Sequence, residues 1–179
     1  MTHPIQKYGR TVLTEKTLPV LMPTPELGNL IIDMLETMYE ARGLGLAAPQ
    51  VGRLERICVI DIPEDMEKED CVDFNAAVKM PLVMINPQIL QKEGTQRGSE
   101  GCLSFPEIHS TVSRAKQVTV QYLNERFIPK VITVQGLLAR AVQHETDHLD
   151  GILFIDHLTA VQKAAIAGKL KKLKKENKQ

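Results

Sequence analysis

Residues Gly136–Gly151, GLLARAVQHETDHLDG, hold the most informative helix of the chain. Gly136 to Leu149 reads as helical, and positions four apart on a helix share a face. His144 and His148 therefore point the same way, as two ligands of one cation must. Glu145 stands one residue off that line, close enough to touch a metal-bound water without being a ligand. The plain alternative is a helix that happens to carry two of the five histidines. The adjoining glutamate favours the metal. Two imidazoles leave a metal under-ligated, so the third ligand decides what the site is.

Zinc and ferrous iron accept carboxylate, imidazole or thiolate. Zincin proteases combine this helical motif with a glutamate from a later helix or with a histidine in HExxHxxGxxH. Here the only downstream glutamate is Glu176, inside a lysine-rich tail, and the histidine position is Phe154. Both protease patterns fail at the third ligand. Asp150, Asp156 and His157 remain downstream; Cys58, Cys71 and Cys102 lie upstream. Cys58 sits in an apolar run and reads as a small buried hydrophobe. Cys71 lies among carboxylates, which raise a thiol's pKa. Cys102 lies in SEGCLSFP, where a flanking glycine lets the backbone approach a site closely. Chemistry prefers Cys102, and the residues alone leave the others open.

Working outward from the helix, TPELGNLIIDMLETMYEARG reads as a second one. Thr24 caps it, Pro25 suits its first position, Leu27 to Met38 recur at helical spacing and Gly43 stops it. RICVID (56–61) and LVMIN (82–86, ended by Pro87) read as strands. QVTVQYLN (117–124) alternates, and KVITV (130–134) is its hairpin partner. The acidic run Glu64–Asp73 reads as a surface loop, as does GTQRGSEGCLSFPE (94–107). Residues 1–23 read as an irregular arm or edge strand. A last helix from about Thr159 carries Val161, Ala164, Ala165, Leu170 and Leu173. Neighbouring runs of strands place the chain in the α+β class.

Length and composition fit this outline. The 179 residues suit a single catalytic domain, 1–179, including a basic C-terminal helix at about 159–176. With 43% hydrophobic residues and no tryptophan, aliphatic side chains must fill the core. Three scattered cysteines exclude a disulfide framework and point to a reducing compartment. No apolar run approaches the roughly 20 residues of a membrane span. Without a signal-peptide pattern, a cytoplasmic protein is expected. Net charge is zero, which gives no sign of DNA binding, although six lysines crowd residues 168–179.

Three segments stand in order: GLGLAAPQVG (43–52), EGCLSFP (100–106) and QHETDHLDG (143–151). Alone, the first is an ordinary glycine-rich turn. Together, at these distances, they resemble the three motifs of the peptide deformylases. The resemblance implies antiparallel β-sheets packed around a central helix that carries the HExxH motif. It implies Cys102, His144 and His148 as ligands of one divalent metal. Ferrous iron is the first expectation, with zinc, nickel or cobalt as alternatives. Glu145 would be the general acid/base, with metal-activated water as nucleophile. The Gln50 side chain and the Leu103 N–H would stabilise the oxyanion, and Gly45 would bind the peptide main chain. Leu44 and Leu137, with Ala141 behind, are candidates for the methionine pocket; core packing is an equal alternative for each. The substrates would be N-formylmethionyl peptides and nascent chains; the lysine-rich helix reads first as a solvated helix end, with contact to the ribosome as the sharper alternative. The sequence departs from the pattern at His109, where some members have arginine, and at Thr11, where many have proline.

Overall fold

The computed structural model describes residues 1–177. In chain order the elements are α1 (Pro25–Glu40), β1 (Gly45–Ala47), β2 (Ile57–Ile60), α2 (Glu69–Asn75), β3 (Leu82–Glu93), β4 (Gln96–Cys102), β5 (Phe105–Arg114), β6 (Gln117–Leu123), β7 (Pro129–Gln135), α3 (Gly136–Leu149) and α4 (Ala160–Asn177). Short 3₁₀ turns lie at Thr11–Thr14, Ala48–Val51, Glu64–Met66 and Phe154–His157.

Strands β1, β2, β3, β6 and β7 form one antiparallel sheet in that order, and β4 and β5 form a separate hairpin. The apolar run of β2 is explained by burial on both faces. Cys58 and Ile60, with Leu82 and Met84 of β3, face one apolar cluster shared with Leu138, Ala139, Val142 and Leu149 of α3. Ile57 and Val59, with Val83 and Ile85, face a second cluster filled by Leu27, Leu30, Ile31, Met34 and Met38 of α1. A third cluster joins Phe105, Ile108 and Val112 of β5 to Phe154 and Leu173. The helix with the two histidines thus lies between the large sheet and the hairpin. The α+β arrangement expected from the resemblance is the one observed.

Helix α3 spans the residues expected. The Thr24 side chain caps α1 through the Leu27 N–H at 3.2 Å. That helix ends at Glu40, and the left-handed residue after it is Arg42 (φ 55°), not Gly43.

Three expectations need correction. First, GTQRGSEGCLSFPE is not a loop but most of the β4–β5 hairpin. Its glycines and serines have low strand propensity, and in β4 only Glu100 is buried, so no apolar alternation announced it; tertiary pairing overrides propensity here. Second, the strand from Leu82 does not stop at Pro87 but runs to Glu93. A register shift between Ile85 and Gln88 accommodates the proline, as a bulge can. Third, the acidic run is partly helical, because Cys71 and Asn75, four apart on α2, are both buried. The last helix is present as expected, and its inward face is Ile166, Leu170 and Leu173; Val161 is 80% exposed, and Ala164 and Ala165 are exposed as well. The first 23 residues form an irregular arm with a single bridge, Leu18 to Glu55.

Candidate metal centre

Helix α3 is held at both ends by groups that complement its dipole. At its N-terminus the Glu67 carboxylate accepts the Leu137 and Leu138 N–H groups at 2.8 and 2.9 Å. At its C-terminus Arg56 donates to the Leu149 carbonyl at 3.3 Å and pairs with Asp150 at 2.8 Å. Gly136 begins the helix at φ 67°, where a side chain would collide with Glu67 and Cys71. Neither Glu67 nor Arg56 stood out in the sequence, because each reaches the helix from a distant segment.

The helix turns His144 and His148 towards Cys102, the last residue of β4. The ligand atoms of these three side chains all lie within 4.8 Å of one another. They are the only such group of three among the described residues. The Cys102 Sγ lies 3.2 Å from His148 Nε2. Asp150, Asp156, His157, Cys58 and Cys71 are not in the cluster. Cys58 is buried in β2, and its thiol is pushed well up by burial. Burial, and then Asp70, also raise the Cys71 thiol.

Charge at the centre is arranged for a cation. Burial alone would raise the Cys102 thiol, but the His148 and His144 rings outweigh it and hold the group well below its ordinary value. Burial would likewise lower His144, yet its bonds to Cys102 and Glu100 hold it well above. A thiol held low is readily a thiolate, the form in which cysteine ligates a metal. The donors also fit the group chemically: two nitrogens and one sulfur suit zinc or ferrous iron, and three protein ligands are the number found in open catalytic sites.

Glu145 projects beside this set and is 5% exposed. Burial pushes its carboxyl up to about 6, against the opposing pull of both histidines. Its Oε2 has no hydrogen-bond partner among the described residues. The carboxyl lies over Gly45: a Cβ there would stand 2.8 Å from the Glu145 carboxyl carbon. Any side chain at position 45 would displace it.

Gln50 is oriented by its own turn. Its Oε1 accepts the Ala47 N–H at 2.9 Å, which aims Nε2 at Ser104 Oγ (3.3 Å) and Cys102 Sγ (3.4 Å). Leu103 and Ser104 form the two-residue turn of the hairpin, since Cys102 pairs with Phe105. A cleft of about 550 Å³ opens over these groups, bordered by Leu44, Gly45, Gln50, Leu103, Leu137 and Glu145. Leu44, Leu137 and Ala141 line the cleft and also pack on the first apolar cluster. His109 also lines the cleft.

Sequence reading missed the charged network behind the ligands. Glu100 accepts from His144 Nδ1 at 3.1 Å, from Arg114 at 2.9 and 3.0 Å and from Arg140 at 2.7 Å. Arg114 also pairs with Asp147, which bonds His157 at 2.7 Å. Burial would raise the Glu100 carboxyl, but His144 and Arg114 hold it well below the usual carboxylate range. One signal existed: in a strand, Glu100 and Cys102 share a face.

A family model described as polypeptide deformylase matches residues 2–164. The chain belongs to that family. It is similar to the peptide deformylase of Salinibacter ruber, 40% identical over 174 residues, covering 97% of this chain and 89% of that one. In structure it is similar to a peptide deformylase from Legionella pneumophila, with a TM-score of 0.84, 39% identity and coverage of 98% and 97%. It is also similar to a peptide deformylase from Synechococcus elongatus solved in complex with actinonin, with a TM-score of 0.80, 38% identity and coverage of 92% and 86%. Deformylases are metal-dependent hydrolases that remove the N-formyl group from nascent peptides, and this chain is one of them by membership. No described helix is long and apolar enough to cross a membrane.

Proposed function

We propose a division of labour for deformylation in which Cys102, His144 and His148 hold the metal and Glu145 moves the proton. The observation that carries it is the cluster of three ligand atoms within 4.8 Å, with the unpartnered Glu145 carboxyl beside it. When bound, the metal supplies Lewis-acid polarisation and lowers the pKa of water it coordinates, from about 15.7 towards about 7. Glu145 orients the attacking water and takes its proton, a task suited to a carboxyl raised towards neutrality. Attack on the formyl carbon places negative charge on the formyl oxygen. The Gln50 amide and the Leu103 N–H stabilise that oxygen. Glu145 then returns the proton to the leaving nitrogen, and the carbon–nitrogen bond breaks to give formate and a free amine. Gly45, at the edge of the sheet, offers its main chain to the peptide, and Leu44 and Leu137 receive the methionine side chain.

The thiolate suits ferrous iron as well as zinc, nickel or cobalt, and iron is the metal we assign. We assign residues 1–179 to one catalytic domain, supported by core clusters that run from Leu13 to Leu173. A cytoplasmic location follows from the substrate, which emerges there, and from a site that needs a free thiol. The assay is formate release from formyl-Met-Ala-Ser by anaerobically purified protein, with metal analysis of the same sample. We expect formate, one ion per chain, loss of activity on chelation and decay in air. Cleavage of internal, unformylated peptide bonds without formate would point instead to an endoprotease.

The lysine-rich end of α4 supports a second element of the reading, contact with ribosomal RNA. Lys169, Lys171, Lys172, Lys174 and Lys175 are exposed, while Leu170 and Leu173 face the core. Deleting the helix would therefore remove packing as well as charge. Changing Lys171, Lys172, Lys174 and Lys175 to Gln separates the two. Cosedimentation with ribosomes should weaken and lose salt dependence while turnover of a short peptide stays unchanged. Unaltered cosedimentation would leave the lysines as a solvated helix end, favoured there by the dipole.

A further inference from the structure

The start of the chain borders the cleft and bonds both elements assigned to the oxyanion. Hairpin tips are among the least anchored parts of a fold, and this one carries the Leu103 N–H. Both carbonyls of its two-residue turn are taken by the arm. Lys7 Nζ donates to the Leu103 carbonyl at 2.7 Å, and Tyr8 N donates to the Ser104 carbonyl at 2.9 Å. One residue earlier, Gln6 N donates to the Gln50 carbonyl at 2.8 Å. Three consecutive residues thus tie the Gln50 turn to the hairpin tip.

The arm itself is anchored. The Tyr8 ring stacks on Phe105 at 4.9 Å, within the third apolar cluster. Lys7 lines the cleft, where burial pulls its ammonium below the ordinary lysine value, with Cys102 opposing. A partly buried charge is kept where a hydrogen bond compensates it, and an ammonium on a carbonyl is a strong, charge-assisted example.

We propose that Gln6–Tyr8 is a clasp that sets the geometry of the oxyanion hole, with Lys7 as its positioning residue. Leu103 lies between Cys102, fixed at the metal centre, and its own carbonyl, fixed by Lys7. Holding both sides fixes the aim of the N–H between them. The inference rests on the roles proposed above for Gln50 and Leu103.

Kinetics of the metal-loaded Lys7→Met and Lys7→Arg variants on formyl-Met-Ala-Ser test it. Lys7→Met should lower kcat roughly tenfold, less than loss of a donor, because the N–H remains but is mis-aimed. KM and metal content should stay near wild type. Lys7→Arg, which can also donate to the carbonyl, should recover most of the rate. Amide exchange at Ser104 and Phe105 should quicken in Lys7→Met, a readout that remains if the variant is too unstable for kinetics. Unchanged kcat, unchanged exchange, or a rise in KM alone would overturn the clasp; the last would make Lys7 a peptide contact. An inactive wild type would overturn the functional reading itself, whereas an active wild type matched by Lys7→Met overturns the clasp alone.

Discussion

Glu145→Gln should retain its full complement of metal and lose turnover by about 10²- to 10⁴-fold, the range a positioned acid/base contributes. The substitution preserves volume, and the three ligands are untouched. The amide can still hydrogen-bond to a water in the site, but it cannot take that water's proton. The carboxyl has been raised to about 6 by burial, and a metal ion beside it would pull that value down. The rise of wild-type kcat/KM with pH should therefore lie at or below about 6, as the carboxyl ionises, and this limb should be missing from the residual activity of the variant. Elemental analysis and a pH profile are the two measurements. Near-normal turnover with the limb intact would remove Glu145 from the mechanism.

Glu100→Ala should cost both stability and metal affinity. Glu100 accepts from two buried arginines and from His144, and removing one member of a buried ionic group leaves uncompensated charge. Such losses run to about 3–5 kcal/mol. The His144 ring would also lose the partner that fixes which nitrogen faces the centre, and lost outer partners typically weaken metal binding about 10- to 100-fold. The sign with pH follows from the depressed carboxyl. Its stabilisation is complete above the ordinary carboxylate range and is lost only as pH falls through the lower, folded-state value. The stability gap between wild type and variant should therefore be full at neutral pH and narrow only in strong acid. Urea unfolding across pH and metal competition measure the two effects separately. A destabilised variant with wild-type metal affinity would show that Glu100 serves packing alone.

What could be read in advance follows from how far each signal reaches along the chain. Helices α1 and α3 were legible because apolar spacing, a capping threonine and a proline are local. Strand β2 was legible because a strand buried on both faces is apolar throughout. The third metal ligand was not settled by the residues themselves. Chemistry preferred Cys102, and the resemblance carried by three motifs together implied it. Strand β4 was missed because its one buried residue is a charged glutamate, whose partners lie 14 to 44 residues away. The clasp at Gln6–Tyr8 acts largely through main-chain atoms, which carry no residue-specific signal. Among its hydrogen bonds to the Gln50 turn and the hairpin, only that of Lys7 uses a side chain, and nothing beside it in the sequence suggests a carbonyl 96 residues away.

The three candidate ligands come from two bodies of the fold: one from the hairpin, two from the helix seated on the large sheet. An ion held among them works as a rivet between those bodies. Its loss would leave the hairpin tied to the rest of the fold by the Glu100 network, by the arm and by the third apolar cluster. Metal exchange would then depend on how far two layers part as well as on the strength of each metal–ligand bond.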